Sequence, residues 1–309
     1  MTGAMERTAR VSIKRNGKSF WFASLFLPKQ MAADAAVLYS FCRNLDDVAD
    51  RMTAPVADQD PVQYFEQIRE HLISGTSQDP LLAEILHLAS RTGLDTHAAV
   101  CLLDTLQADA NGCAEIVDEA GLIRYCYGAA GTVGLMMCAI LGVDSPRARL
   151  QAIDLGIAMQ LTNIARDVVE DATLHRRYVP GRWVNNITPQ QIRERYKDDA
   201  HTRTTLAIGI DRILALADIF YAAAVPGFDA IPARARNGIR IAAAVYREIG
   251  VILRDRGCDC SRGRVVVPML SKVRIAGSVF TGQSRLEEMR CPNDLSRFHD
   301  VLIGLPGLS

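Results

Sequence analysis

The sequence is poor in several features that mark large classes of protein. Only 6% of its 309 residues are aromatic, and its 12 prolines and 22 glycines are spread thinly, which favours helices over a sheet-rich fold. Acidic and basic residues number 35 each, so no overall field attracts nucleic acid, and none is expected as a partner. The chain has no Gly-x-Gly-x-x-Gly loop and no Gly-x-Ser-x-Gly elbow. We therefore expect no nicotinamide cofactor such as NADPH.

The eight cysteines form no zinc or disulfide pattern. Cys258 and Cys260 are the only close pair, and no second pair completes a zinc site. Most of the others lie in apolar runs, so we interpret them as reduced and structural, as in a cytoplasmic protein. The basic N-terminus is not followed by the apolar run of a signal peptide. The longest apolar stretch, 128–143, is short for a membrane span and contains several small residues.

Hydrophobic residues make up 49% of the chain and recur at helical spacing through most of it. Neither an alternating strand pattern nor a compositional boundary competes, so the sequence predicts one all-α domain, 1–309. Loose order is expected for 1–16 and from about 280 to 309, and a loop is expected at 52–60. The predicted helices span about 29–50, 61–74, 79–92, 95–111, 118–143, 146–172, 188–196, 203–223, 231–256 and 263–277.

Two acidic segments lie inside otherwise apolar helices. In the first, Asp46 and Asp50 are four residues apart, so they share a helix face about 6 Å apart along the axis. Asp47 adds a third carboxylate at the rim. Like charges beside a core are costly unless they share a cation.

The second acidic segment repeats this arrangement. Asn163, Asp167 and Asp171 are spaced by four residues, with Gln160 one turn earlier and Glu170 beside the line. Oxygen ligands without His or Cys suit Mg²⁺, with Mn²⁺ as an alternative. A single Asp-x-x-x-Asp usually marks a solvated helix face. Two such segments in apolar helices favour a metal site.

Basic residues flank both acidic segments. Arg43 precedes Asp46 by three residues, Arg166 precedes the second segment, and Arg176 and Arg177 follow it. Guanidinium groups bind phosphate oxygens in pairs, although Arg43 would equally well pair with the acidic side chains one turn away. Carboxylates, a divalent ion and arginines together describe a diphosphate site.

A run rich in small residues, Tyr125–Met137, lies between the acidic segments. Its glycines and alanines permit close helix contact or leave a slot for an alkyl chain. Tyr125 and Tyr127 would place π-electrons near a carbocation. Met137, Ile157 and Met159 are candidates for the wall of such a channel, although each would also suit ordinary core packing.

These segments carry a family resemblance. Their order and spacing resemble the squalene/phytoene synthase family over roughly residues 16–270. Asn16, Gly17 and Val179 depart from the residues usual in the family. The matching segments are Lys18-Ser19-Phe20, Tyr39–Asp50, Tyr125–Gly134, Gln160–Ala172, Arg177–Pro180 and Val245–Gly250.

The resemblance implies a single-domain isoprenoid-synthase helical bundle around a central cavity, with the two acidic helices facing each other. It implies that Tyr125 or the released diphosphate accepts the proton lost in the reaction. The Mg²⁺ ligands that it implies are Asp46, Asp50, Asn163, Asp167 and Asp171. The substrate-binding residues that it implies are Ser19, Tyr39, Arg43, Gln160, Asn163, Arg166, Arg177 and Tyr246.

The reaction implied is the head-to-head condensation of two prenyl diphosphates, most closely the C20 geranylgeranyl diphosphates used by bacterial members that make phytoene. A C30 enzyme acting on farnesyl diphosphate is the first alternative. A chain-elongating prenyltransferase is the second: its Asp-Asp-x-x-Asp pattern fits 46–50, but the second segment does not repeat it. An inactive assembly factor is the third, although such a protein should lose the carboxylates. Because the product is oily, peripheral membrane contact is expected, and the oligomeric state stays open.

Overall fold

Helices make up most of the structure. A computed structural model describes residues 17–50, 60–110, 114–290 and 295–308, and this described part contains no β-strand, which confirms the all-α fold class. The α-helices are α1 Lys18–Ser24, α2 Lys29–Ala49, α3 Pro61–Ser74, α4 Pro80–Thr92, α5 Thr96–Ala110, α6 Glu119–Cys126, α7 Thr132–Leu141, α8 Pro146–Thr173, α9 Pro189–Arg195, α10 Ala200–Ala224, α11 Ala233–Asp255, α12 Met269–Phe280 and α13 Ser296–His299.

Several helix ends follow from local sequence rules. Asp60 and Asp79 accept hydrogen bonds from the first-turn N–H groups of α3 and α4, and a proline follows each of them. Gly75 and Gly93 end these helices with φ of +72° and +73°, a conformation that favours glycine. The helix predicted from 263 begins six residues later, because Pro268 precedes α12 in an extended conformation.

The long helix α8 lies at the centre of the fold and packs against α7, α10 and α11. Its approach to the preceding helical segment depends on glycine. A Cβ atom on Gly134 would lie 2.1 Å from the carbonyl oxygen of Ala152, and one on Gly156 would lie 2.2 Å from that of Ala130. The small residues therefore produce close helix contact at these positions.

The helix predicted over 118–143 is interrupted by a π-helical turn, Tyr127–Gly131. This turn lies beside α5, where a Cβ atom on Gly128 would lie 2.0 Å from Oγ1 of Thr105. π-Turns of this kind occur frequently at functional sites. By length and composition the whole stretch Glu119–Leu141 is apolar enough to cross a membrane, but 56% of its most apolar window is buried inside the fold. It is a core element.

The C-terminal tail corrects an expectation. Loose order was expected there, but Phe298 and Leu302 are buried in the described part, 295–308. The hydroxyl of Tyr127 donates a hydrogen bond to the carbonyl of Pro306 at 2.7 Å. The tail thus packs along α8 and the π-turn. Its apolar residues are too few to show a helical period, so the sequence pattern did not predict this packing. The expectation for 1–16 lies outside the described residues, as does nearly all of the expected loop at 52–60.

An ion pair anchors this tail, and its loss is expected to destabilise the fold. Nε2 of His299 lies 2.8 Å from Oδ1 of the buried Asp154, and this hydrogen bond raises the pKa of His299. His299→Ala should lower the free energy of unfolding by about 2 kcal/mol. Because the folded pKa is raised, the charged contribution is complete below the unfolded pKa of about 6.5 and is lost as pH rises through the folded pKa.

The measurement is thermal unfolding of both proteins from pH 6 to pH 9. The difference in Tm should be largest at pH 6 and should shrink as pH rises. His97→Ala is the matched control, since His97 faces Asp95 at 3.3 Å with its side chain 88% exposed. A pH-independent difference for His299→Ala would contradict the assignment.

Candidate active site

A cavity of about 720 Å³ runs through the bundle, within the range of small-molecule sites. Its lining on α8 extends from Thr173 at one end to Ala148 at the other, a helix length of about 38 Å. The Asp171 end is rich in charged groups. The Ala148 end is bordered mainly by apolar side chains, including Leu141, Val143 and Phe228. Such a cavity suits a ligand with a charged head and a long apolar chain.

The two acidic segments face the same end of this cavity. They lie in the last turn of α2 and the last third of α8. Arg176, which follows α8, connects them: one of its nitrogens bonds to the Asp50 carboxylate, and the other donates to the carbonyl of Ala49 at 2.9 Å. The five predicted metal ligands all line the cavity, namely Asp46, Asp50, Asn163, Asp167 and Asp171.

Arginines cover most of these carboxylates. Arg43 bonds to Asp46 at 2.7 Å and also to Asp47, which is the pairing that helical spacing left open. Asp167 receives two hydrogen bonds from Arg166, at 2.7 and 2.6 Å, and two from Arg264, at 3.1 and 3.0 Å. Because Arg43, Arg166 and Arg264 also line the cavity, the same guanidinium groups are available to phosphate oxygens.

The remaining negative charge is poorly compensated. Desolvation, followed by the charge of Asp50, raises the pKa of Asp46 to about 6. Desolvation and the neighbouring Asp167 raise the pKa of Asp171 well above its usual range. Among the described residues no hydrogen bond to the Asp171 carboxylate is found. A bound cation would relieve this repulsion.

The oxygens present fit a hard divalent cation. Nδ2 of Asn163 donates to Oε1 of Gln160 at 3.2 Å, and this leaves Oδ1 of Asn163 buried without a hydrogen bond. This orphaned amide oxygen lies one helical turn from Asp167 and two from Asp171, and it is a suitable Mg²⁺ ligand. Within the described ranges, no three His, Cys, Asp or Glu side chains are already gathered as a metal cluster. The carboxylates of Asp50 and Asp167 are turned toward arginines instead.

A pair of tyrosines forms part of the cavity wall. The rings of Tyr125 and Tyr178 stack with centroids 4.4 Å apart, and both hydroxyls donate to Oδ2 of the buried Asp109 at 2.9 Å. Burial raises the pKa of Tyr125 well above its usual range, so it is a neutral phenol. Sequence analysis missed Asp109, although an acidic residue in the apolar helix α5 was a usable signal.

Two predicted substrate-binding residues do not line the cavity. Arg177 is buried and donates to the carbonyls of Ile116 at 2.9 Å and Val179 at 2.8 Å, and it pairs with Glu115 at 2.9 Å. It holds the segment after α8 in place, and its neighbour Arg176 reaches the cavity instead. Ser19 is also absent from the lining.

Most other predicted residues do line the cavity. Of the channel-wall candidates, Met137 and Met159 are exposed to it, whereas Ile157 is fully buried behind it. Arg264 lines it without having been singled out from the sequence, and so does Phe20 of the matching segment Lys18-Ser19-Phe20. Besides Tyr125, six of the predicted substrate-binding residues line the cavity, namely Tyr39, Arg43, Gln160, Asn163, Arg166 and Tyr246.

Comparison with known proteins identifies this arrangement. The family model for squalene/phytoene synthase matches residues 13–271. The chain belongs to this family. Members are prenyltransferases that condense two prenyl diphosphates head to head, so the protein is an enzyme of that class, which leaves the chain-elongating and inactive alternatives without support.

Relatives agree over most of the chain. A phytoene synthase of Pseudescherichia vulneris is 32% identical, over 81% of this chain and 82% of its own. A 15-cis-phytoene synthase of a Paracoccus strain is 30% identical over 87% and 89%. Among solved structures, a dehydrosqualene synthase with bound ligand has a TM-score of 0.78 at 27% identity, over 90% of this chain and 95% of that one. The fold is therefore the isoprenoid-synthase helical bundle.

Proposed function

We propose that the protein is a phytoene synthase, which joins two geranylgeranyl diphosphates through prephytoene diphosphate to phytoene in carotenoid biosynthesis. The observation that carries this proposal is agreement with phytoene synthases at 30–32% identity over more than four-fifths of the chain. The cavity supports it, because its lining on α8 continues from Asn163 to Ala148, about 22 Å along the helix. That length offers room for a long isoprenoid chain.

The charged end of the cavity would hold the diphosphates. Mg²⁺ or Mn²⁺, bound there by Asp46, Asp50, Asn163, Asp167 and Asp171, would draw off negative charge as the carbon–oxygen bond breaks. The guanidinium groups that now pair with these carboxylates bind phosphate oxygens, and Gln160 orients the amide of Asn163. NADPH plays no part in this reaction.

The apolar end would hold and shield the chains. Met137, Met159 and the small residues of the π-turn line it, excluding water from the allylic cation that forms when the first diphosphate leaves. The double bond of the second substrate then attacks, and loss of a proton closes a cyclopropane. After the second diphosphate leaves, rearrangement and loss of another proton give phytoene. Tyr125 lines the cavity, and its neutral hydroxyl donates a hydrogen bond to Asp109. Released diphosphate is therefore the stronger proton acceptor.

The carboxylate of Asp109 would act as a positioning group for both tyrosines. Asp109→Asn should slow phytoene formation about tenfold or more, since it removes the charge from two hydrogen bonds, each of which contributes about 1.5–3 kcal/mol. The cyclopropyl diphosphate should accumulate relative to phytoene, because the displaced rings no longer stabilise the second cation. The ratio of the two products is the readout that separates this role from general damage.

Asp104→Asn is the matched control for this substitution. Asp104 lies on the same helix, pairs with Arg69 and is half exposed, and it does not line the cavity. It should leave the product ratio unchanged. An unchanged ratio with Asp109→Asn would contradict the positioning role.

The C30 alternative rests on one observation, the likeness to a dehydrosqualene synthase structure. Incubating the purified protein with geranylgeranyl or farnesyl diphosphate, with and without Mg²⁺, followed by lipid extraction, separates the two functions. We expect phytoene from the C20 substrate, only in the presence of the metal and unaffected by NADPH. A C30 product alone would overturn the proposal. Because phytoene is insoluble in water, we place the enzyme in the cytoplasm at a membrane surface.

A further inference from the structure

Exposed apolar side chains are concentrated in one part of the surface. Of the eleven large hydrophobic residues that are exposed in the described chain, five lie within 266–280. Leu270 is 84% exposed, more than any of the others. Single exposed hydrophobic residues need no explanation, but a cluster of this kind marks an interaction site.

These residues form one face of α12. Met269, Val273 and Phe280 recur at helical spacing, with Leu270 beside them. The face turned toward the fold buries Ile275 and Val279 together with Lys272, and α12 packs there against α11. A helix whose solvent-exposed face is apolar is expected to be covered on that face as well. We call the exposed face, together with Val266 and the 59%-exposed Leu25, the α12 stripe.

The stripe lies in a basic surrounding. Residues 261–283 contain three exposed arginines, the buried Lys272 and no acidic side chain, in a chain whose net charge is zero. Arg274 is 75% exposed, and the carboxylate nearest to it belongs to Glu248, at 3.5 Å. Arg262 and Arg264 are also exposed. Apolar side chains flanked by arginine suit the interface of an anionic lipid bilayer.

The stripe adjoins elements that line the cavity. Arg264, at one end of its segment, lines the charged mouth. At the other end, the ring of Phe280 lies 5.7 Å from that of Phe26, just after α1, whose Ala23 and Ser24 line the cavity. Helix α1 therefore has the cavity on one side and Phe280 of the stripe close to its C-terminal end.

We propose that the α12 stripe docks the protein on anionic membranes and places the cavity wall formed by α1 next to the bilayer. The proposed action on prenyl substrates explains why the protein would dock on a membrane; the docking itself is argued from the surface and does not depend on that function. The apolar side chains of the stripe would enter the headgroup region while Arg262 and Arg274 pair with lipid phosphates.

The test is co-sedimentation with vesicles of phosphatidylcholine and phosphatidylglycerol (3:1) or of phosphatidylcholine alone. The full chain should bind the anionic vesicles, and more weakly so at high salt. The double variant L270S/V273S should lose about tenfold or more in partitioning, since it removes two apolar anchors. The matched control I73S/I208S removes two residues that are equally exposed on α3 and α10 and should bind like the wild type.

Equal binding by L270S/V273S and the wild type would overturn the proposal. So would light scattering that shows a dimer lost in the variant, because the stripe would then be an interface between copies of this chain. The proposed function is tested separately with substrate in detergent, where both double variants should turn over normally. Absence of phytoene together with stripe-dependent binding would reject the function and retain the docking.

Discussion

Replacing Asp171 by asparagine is expected to lower the rate of product formation from prenyl diphosphates about 10³-fold, the size seen when one preorganised charge-stabilising group is lost from an active site. Asparagine keeps the shape and one oxygen but removes the negative charge that would hold the cation. The Asp171 carboxylate makes no hydrogen bond to the described residues, so the substitution breaks none. The measurement is phytoene formed per minute at saturating Mg²⁺ and geranylgeranyl diphosphate.

The stability of the same variant separates this reason from misfolding. In the metal-free protein the charge of Asp171 is desolvated and repelled by Asp167, Glu170 and Asp50, so its removal should leave Tm unchanged or slightly raised. Adding Mg²⁺ with pyrophosphate should raise Tm of the wild type, because a ligand that binds only the folded state stabilises it. The variant should show a much smaller rise.

The matched control for Asp171→Asn is Asp211→Asn on α10. Asp211 is an exposed carboxylate that pairs with Arg254 at 3.0 Å, away from the cavity. Its loss should leave both the rate and the ligand-induced rise in Tm unchanged. Wild-type rates in Asp171→Asn would reject the proposed metal site.

The acidic segments could be placed from the sequence because helical spacing decides which side chains share a face. The predicted helices 29–50 and 146–172 match Lys29–Ala49 and Pro146–Thr173 within a residue. Every carboxylate placed by that spacing lines the cavity. The family resemblance was equally informative about the fold, because the helices of a bundle repeat a few packing geometries.

The arginines after α8 mark where such reasoning stops. Arg176 and Arg177 follow the helix in an extended segment, where neighbouring side chains point to opposite sides. Arg176 turns to Asp50, whereas Arg177 turns to Glu115. No periodicity in the sequence decides which of the two arginines faces the cavity. That choice depends on the parallel bridge between residues 115 and 177.

Tertiary contacts account for the other gaps. Asp109 joins two tyrosines from different segments, and no local motif records that meeting. The π-turn depends on how closely α5 and α8 approach glycines of the run that begins at Tyr125. The tail is ordered by an ion pair between residues 145 positions apart.

The length of the chain that the enzyme accepts should depend on the far end of the cavity. Ala148 lines that end, is almost fully buried, and lies 15 residues before Asn163 on α8. Ala148→Phe would project a ring into the space that the last isoprene units of a C20 chain need. Farnesyl diphosphate, which is one unit shorter, would not reach it.

Ala148→Phe should therefore lower kcat/KM for geranylgeranyl diphosphate by about 10–100-fold, equivalent to an overpacking cost of about 1–3 kcal/mol, and leave turnover of farnesyl diphosphate unchanged. Arg147→Phe adds the same ring at the exposed neighbouring position of α8 and should change neither. The ratio of C40 to C30 product from equimolar substrates measures the shift. An equal loss with both substrates would mean that Ala148 does not limit chain length, because a ring at the end of the channel can exclude only the chain that extends that far.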